Sequence, residues 1–513
     1  MKPVRMLSGI LTVGVWTLAS RVLGFLRDVL IANWLGPGAT MDAFVAAFRL
    51  PNMFRRFFAE GAFNAAFVPM FSKRLEGGGD AQGFAALALS GLSLVLLALT
   101  GLAMVFMPVL VWATAQGFAG DARFGMTVEY GRIVFPYIFF ISLAALFSGV
   151  LNAAGRFAAA AAAPVLLNVM LIAAMTAAWF MDGEVILALV WTIPFAGIAQ
   201  LALVWVAARR AGFDITPTRP RWTPEMAQLV RIAIPAALAG GVMQINLLVG
   251  QQVASNTDKA VSWLYAADRL YQLPLGVVGI AVGIVLLPDL SRRLKAADDA
   301  GARIALSRAG EISLALTIPC AVALVVVPIP VVSVLFERGA FSPEDTVATA
   351  LAVAIYGLGL PAFVLQKLLQ PLFFAREDTR NPFRYAVVAM VINAMLAVGL
   401  SFYIGWIAAA IATSVAGWVM VWLLMRGARP MGKVAHFDAR FRRRIWRIVL
   451  AALLMGAVAW LSALWMSPIL MMPGLRWLGL LALIGLSGIS YFGLGHLIGA
   501  FRLGEFRAAF RRG

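Results

Sequence analysis

The residues with chemistry to offer are cations placed where the chain is otherwise apolar. SRVLGFLRD (residues 20–28) sets Arg21, Arg27 and Asp28 inside a run that begins near Leu7. DAFVAAFRLPNMFRRFFAEGAF (42–63) carries Asp42, Arg49, Arg55, Arg56 and Glu60 around Pro51, and YAADRLYQLPLG (265–276) carries Asp268, Arg269 and Gln272 just before Pro274. An arginine at the centre of a membrane helix costs about 2.5–3.5 kcal/mol, so a cluster of them argues for a wet or anion-binding interior rather than for lipid contact. Guanidinium is suited to bidentate capture of phosphate in a partly dry site. The chemistry to expect is therefore binding of an anionic, phosphorylated molecule at membrane depth. Gln366 and Lys367 either extend the same polar wall or bond one helix to another. With two histidines and Cys320 as the single cysteine, histidine-based metal sites, histidine bases and internal disulfides are not expected.

At about 1.5 Å per residue, Arg21 lies roughly 20 Å into the first run, past the bilayer centre. Arg21 and Asp28, seven apart, share a helix face, while Arg27 points elsewhere unless the helix breaks. Gly24 permits such a break. A structural Arg–Asp pair that locks two helices is the alternative for this stretch taken alone.

The elements that must position these groups are membrane helices. The chain has 513 residues, 62% hydrophobic and 13% charged, with mean hydropathy +0.89, where soluble domains are about half apolar and a quarter charged. Apolar stretches of about 20 residues or more recur from end to end, the length that crosses a bilayer as helix. About fourteen transmembrane helices are expected. Setting the N-terminus in the cytoplasm leaves only four of the 42 Lys and Arg on the opposite face, namely Arg123, Lys259, Arg338 and Arg476. Nine fall within the spans and the other 29 on the cytoplasmic side, which supports two cytoplasmic termini by the positive-inside rule. The net charge of +18 is thus mainly topology, and nucleic acid is not an expected partner. The first run resembles a leader peptide, but it continues past any small-residue cleavage site into SRVLGFLRD.

The sequence also repeats weakly. FVPMFSKRL (67–75) aligns with LLPDLSRRL (286–294), LLNVML (166–171) with VINAML (391–396), and Pro136 with Pro361. The pairs are six helices apart, so the repeats are parallel, as in transporters whose two bundles rock about a shared site. The organisation expected is an N-lobe over 1–221 (helices 1–6) and a C-lobe over 222–430 (helices 7–12). These surround a central cationic cavity, and 431–513 adds a basic interfacial segment and helices 13–14.

SRVLGFLRD, DAFVAAFRLPNMFRRFFAEGAFNAAFVP and ADRLYQLPLGVVGIAVGIVLLP together resemble the MurJ/MviN lipid II flippases, within the multidrug/oligosaccharidyl-lipid/polysaccharide exporter superfamily. The resemblance covers nearly the whole chain. It implies a transporter, not an enzyme, that moves the undecaprenyl-pyrophosphate-linked peptidoglycan precursor to the periplasmic leaflet by alternating access, for cell-wall biogenesis and cell shape. It implies Arg21, Arg27, Arg55 and Arg269 as substrate-binding residues, and Asp28, Asp42 and Gln272 as gating or supporting ones. Gln272 stands where some members carry a glutamate, which weakens any mechanism that needs an ionisable group there. The last two helices are implied to edge a groove for the polyprenyl tail. Some members bind sodium through a seventh-helix aspartate. The comparable position here is Gly250, so no metal or cofactor is expected, even with Asn393 as a remnant ligand. The protein is expected in the bacterial inner membrane among membrane lipids, as a monomer associated with cell-wall synthesis machinery.

The basic, aromatic run HFDARFRRRIWRI (436–448) reads as positive-inside anchoring or as a headgroup-binding surface. Two rival functions fit less well. A glycosyltransferase or phosphatase acting on polyprenyl phosphates needs a loop cluster of acids or a base, and a drug/cation antiporter favours acids over arginines in its cavity.

Overall fold

The computed structural model describes residues 3–55, 62–281, 286–296, 298–472 and 474–501, and among these the regular elements are all helical. The chain divides into two units, Met1–Ser262 and Trp263–Gly513. The first holds α1 (Pro3–Trp34), α2 (Ala39–Arg55), α3 (Ala62–Glu76), α4 (Ala81–Val105), α5 (Met107–Thr114), α6 (Ala122–Val134), α7 (Tyr137–Ala153), α8 (Ala158–Phe180), α9 (Val185–Arg210) and α10 (Pro224–Ala254). There α1 lies along α8, α2 along α6 and α3 along α10, while α9 takes both α7 and α8. Phe63, Phe67 and Phe71 recur every fourth residue, so they fall on one face of α3. Their rings stack at 5.3 and 5.6 Å, and Phe84 of α4 stacks on Phe67 at 5.6 Å.

The first turn of α11 (Ala260–Ala281) closes the first unit and the rest of that helix belongs to the second, which also contains α12 (Leu287–Lys295), α13 (Asp299–Val326), α14 (Pro328–Phe336), α15 (Pro343–Phe374), α16 (Arg380–Ile404), α17 (Ala408–Ala428), α18 (Ala439–Trp465), α19 (Ser467–Met471) and α20 (Arg476–Leu497). Here α13 packs on α15 and α18, α17 on α15 and α16, and α20 on α18.

Helix ends show the same devices in both halves. Asp80 caps α4 by accepting from the Gly83 N–H at 2.7 Å, and Asp298 caps α13 by accepting from the Gly301 N–H at 2.8 Å. A Cβ at Gly83 or Gly301 would sit 2.0 or 1.9 Å from the capping carboxylate as it stands, so a side chain there would make the aspartate shift. Each of these helices then stops one residue short of a proline-started helix, at Phe106 before α5 and at Val327 before α14. The caps lie 218 positions apart, close to the spacing of the sequence repeats.

Nine runs among the described residues are long and apolar enough to cross a membrane, and one of them, Arg380–Gly432, comprises both α16 and α17. Large apolar side chains such as Leu94, Leu97, Phe180, Trp465 and Leu481 stand exposed. A protein in water would aggregate through such a surface, whereas hydrocarbon solvates it. This is a multi-pass, all-α membrane protein.

Candidate functional site

The first cationic stretch lies in a helix that runs through Gly24 without a break. The side of Gly24 is occupied: a Cβ there would lie 3.5 Å from the Asn168 amide nitrogen of α8. Asn168, buried, ties two groups together. Its oxygen accepts from Arg27 Nη1 at 2.9 Å, and its nitrogen donates to the Ser20 carbonyl at 3.1 Å. Arg27 turns its other edge to Asp28, with Nη2 and Nε at 2.7 and 3.1 Å from one carboxylate oxygen. Neighbours in sequence thus pair directly, and α8 fixes the plane of the guanidinium. Arg21 is exposed on the same helix. Arg27 and Asp28 are brought together, and Asn168 is a site residue that the chemistry-bearing residue types alone did not single out.

Asp42 is fully buried at the start of α2. One carboxylate oxygen accepts from the Ser262 backbone N–H at 2.9 Å and from its hydroxyl at 2.5 Å. Ser262 belongs to the first turn of α11, whose amides have no helical partner and favour an anion. The other oxygen faces Arg123 Nη1 at 3.5 Å. Arg123 also pairs with Asp121 at 2.6 Å and Asp258 at 3.0 Å, and lies 4.5 Å from the Phe118 ring centroid. Partial burial raises the Asp121 carboxyl, but the Arg123 hydrogen bonds and charge outweigh it and hold Asp121 below the usual carboxylate value. The same end of the unit is laced by amides. Gln251 donates to the Thr114 carbonyl at 3.2 Å, and the Ser255 hydroxyl accepts from Gly117 N–H at 3.0 Å. A Cβ at Gly117 would come within 2.4 Å of the Ser255 backbone, so the two segments touch main chain to main chain.

Arg55 ends α2, half-buried, while Arg49 of the same helix donates to the Leu247 carbonyl of α10 at 3.3 Å. Arg56 and Glu60 lie outside the described residues. In the second unit, Arg269 sits over the Tyr265 ring, 4.4 Å from its centroid, a turn earlier on α11. Gln272 donates to the Asp268 carboxylate from the following turn. Tyr271 is packed against Tyr356 and Phe363 of α15, at 4.9 and 5.5 Å between centroids, which orients this stretch of α11. Gln366 makes a helix-to-helix bond, donating to the Gly417 carbonyl at 3.0 Å.

Residue types also failed to flag Glu311, buried on α13. It takes Arg308 from its own helix and Arg444 and Arg440 from α18, the last two at 3.3 and 3.5 Å. Arg308 bridges on to Asp438 at 2.8 Å, and Asp438 caps α18 by accepting from Phe441 N–H at 2.7 Å. Part of the basic run 436–448 therefore turns inward and clasps α18 to α13. Glu311→Ala should lower the thermal midpoint of the purified protein by several degrees, since three cations lose a shared buried partner at a cost of about 3 kcal/mol or more. Glu311→Gln, which keeps one acceptor, should fall between.

The family model described as lipid II flippase MurJ matches residues 31–476. A probable lipid II flippase MurJ of Rhizobium meliloti (strain 1021) is 46% identical, the alignment covering 98% of this chain and 96% of that one; its counterpart from Rhizobium tropici is 43% identical over the same shares. The lipid II flippase MurJ of Burkholderia cenocepacia is 33% identical, with 88% and 89% covered. Among solved structures, a lipid II flippase MurJ in an inward closed conformation superposes with TM-score 0.80 at 25% identity, covering 94% of this chain and 98% of that one. An inward-facing multidrug transporter of the MATE family in the MOP superfamily shares the fold, with TM-score 0.66 at 14% identity. With a family model spanning most of its length and relatives this similar end to end, the chain belongs to the lipid II flippase MurJ family.

Proposed function

We propose that this transporter flips lipid II, the undecaprenyl-pyrophosphate-linked peptidoglycan precursor, from the cytoplasmic to the periplasmic leaflet by alternating access. Arg21, Arg27, Arg55 and Arg269 bind the pyrophosphate. Asp28 orients Arg27, Asp42 closes the periplasmic end through Ser262, and Gln272 supports Arg269 through Asp268. The protein sits in the bacterial inner membrane with both termini cytoplasmic, and works as a monomer beside the cell-wall synthesis machinery.

The observation that carries this reading is the Arg27 guanidinium, largely withdrawn from solvent and held in one plane by Asp28 and Asn168. A cation fixed in that way pays its ordering entropy before substrate arrives, which favours binding of an anion. The transport reading requires that the gene rescue bacteria depleted of their own lipid II flippase, with lipid II becoming accessible to an impermeant probe at the outer leaflet. Growth without that change in accessibility, or no rescue by a protein that accumulates normally, would sink it.

A further inference from the structure

Residues 213–223 leave α9 and reach α10 without forming helix or turn. The stretch ITPTRPRWTP (215–224) is stiff by composition, since Pro217, Pro220 and Pro224 fix their own φ and hold the residues before them extended. It is also pinned to the first unit. Phe213 meets Phe71 of α3 edge-on at 6.0 Å between centroids, and Ile215 is buried in the core. The Thr218 N–H donates to the Ser90 hydroxyl of α4 at 2.8 Å, and Thr223 caps α10 by accepting from the Met226 N–H at 3.3 Å.

Between these pins stand groups that the protein does not use. Arg219 and Arg221 are exposed, and Trp222 is 75% exposed. The two acids nearby are already engaged: Asp214 pairs with Arg209 at 3.2 Å, and Glu225 with Thr223 and Arg74. Among the described residues, no carboxylate pairs with Arg219 or Arg221. The bond to Ser90 sets the level of this strap against α4. Leu94 and Val95, one turn further on, are the first large apolar side chains of α4 to stand exposed. Two cations and an indole thus lie where the apolar helix surface begins. At that level a bilayer presents its phosphates, and Trp is enriched there.

We propose that residues 216–222 dock on anionic phospholipid headgroups, with Arg219 and Arg221 on lipid phosphates and the Trp222 ring in the interface. Naming that leaflet as the cytoplasmic one rests on the orientation proposed above. The contact itself needs only the first unit. Because the strap is stiff before lipid arrives, little ordering entropy opposes it.

The test reads lipid contact without substrate or transport, so its failure is separate from failure of the growth rescue. A fluorophore is attached at Thr218→Cys in full-length protein carrying Cys320→Ser, held in nanodiscs of phosphatidylcholine. The quencher is phosphatidylglycerol or phosphatidylcholine with a spin label near the headgroup. Equal quenching should need about fivefold less phosphatidylglycerol, the scale of one arginine's attraction to an anionic surface. R219Q/R221Q should bring the two lipids to parity, and so should about 1 M salt, which screens charges beyond about 3 Å. Parity before any substitution, or a preference that survives R219Q/R221Q, would overturn the proposal. So would a fluorophore that neither lipid quenches, because the strap would then stand in water, open to a soluble partner instead.

Discussion

Arg27→Ala abolishes rescue of flippase-depleted cells in the expected result, with flipping in proteoliposomes down by about two orders of magnitude or more. The magnitude follows from losing two charge-assisted hydrogen bonds to a pyrophosphate, each worth about 1.5–3 kcal/mol. Arg27→Lys should recover part of the activity, because an ammonium keeps the charge but cannot fill the fork between Asp28 and Asn168. Removing Arg27 also takes two hydrogen bonds from Asp28, whose side chain is 6% exposed. The control is therefore the pair Arg27→Ala with Asp28→Asn, in which the carboxylate charge goes with the guanidinium. If that double variant regains thermal stability yet still fails to flip, the guanidinium acts on substrate. If it regains both, Arg27 only balances Asp28 and the substrate-binding role is wrong. Arg21→Ala and Arg269→Ala should share the loss of rescue while accumulating normally.

Asp42→Ala carries the second large expectation. Two donors of Ser262 lose their acceptor, and Arg123 loses one of its three carboxylates. The first turn of α11 should then detach, at a cost of about 3 kcal/mol for two hydrogen bonds to a charged group. Val261, buried beside Ser262, reports this directly. After Cys320→Ser, a cysteine at position 261 should resist an aqueous thiol reagent in the parent and react in the Asp42→Ala background. Equal protection in both would show that the α5–α6 loop and α10 hold this end closed without Asp42.

Much of the architecture was legible because bilayers impose coarse rules. Twenty-residue apolar runs are enough to read a multi-pass, all-helical chain, and the caps at Asp80 and Asp298 fall close to the 219–225 spacing of the sequence repeats. Those two caps were themselves readable as an aspartate three positions before a glycine. The partners inside the site were not. Asn168 reaches Arg27 across 141 positions, and Glu311 reaches Arg444 across 133. No spacing rule connects residues on different helices, and a neutral asparagine in LLNVML draws no attention in a search for charge. The break that Gly24 permits is not used: α1 runs through it unbroken, with the Asn168 amide in van der Waals reach of that side.

The main-chain contact between Gly117 and Ser255 bears on how the protein is made. These residues are 138 positions apart, so when α9 leaves the ribosome the surface around Thr114 and Gly117 still lacks its cover. The nascent first unit must wait in the membrane with those amides and carbonyls open until α10 and the turn after it arrive. Alanine at Gly117 should keep the late segment from seating, since its Cβ would meet the Ser255 backbone at 2.4 Å.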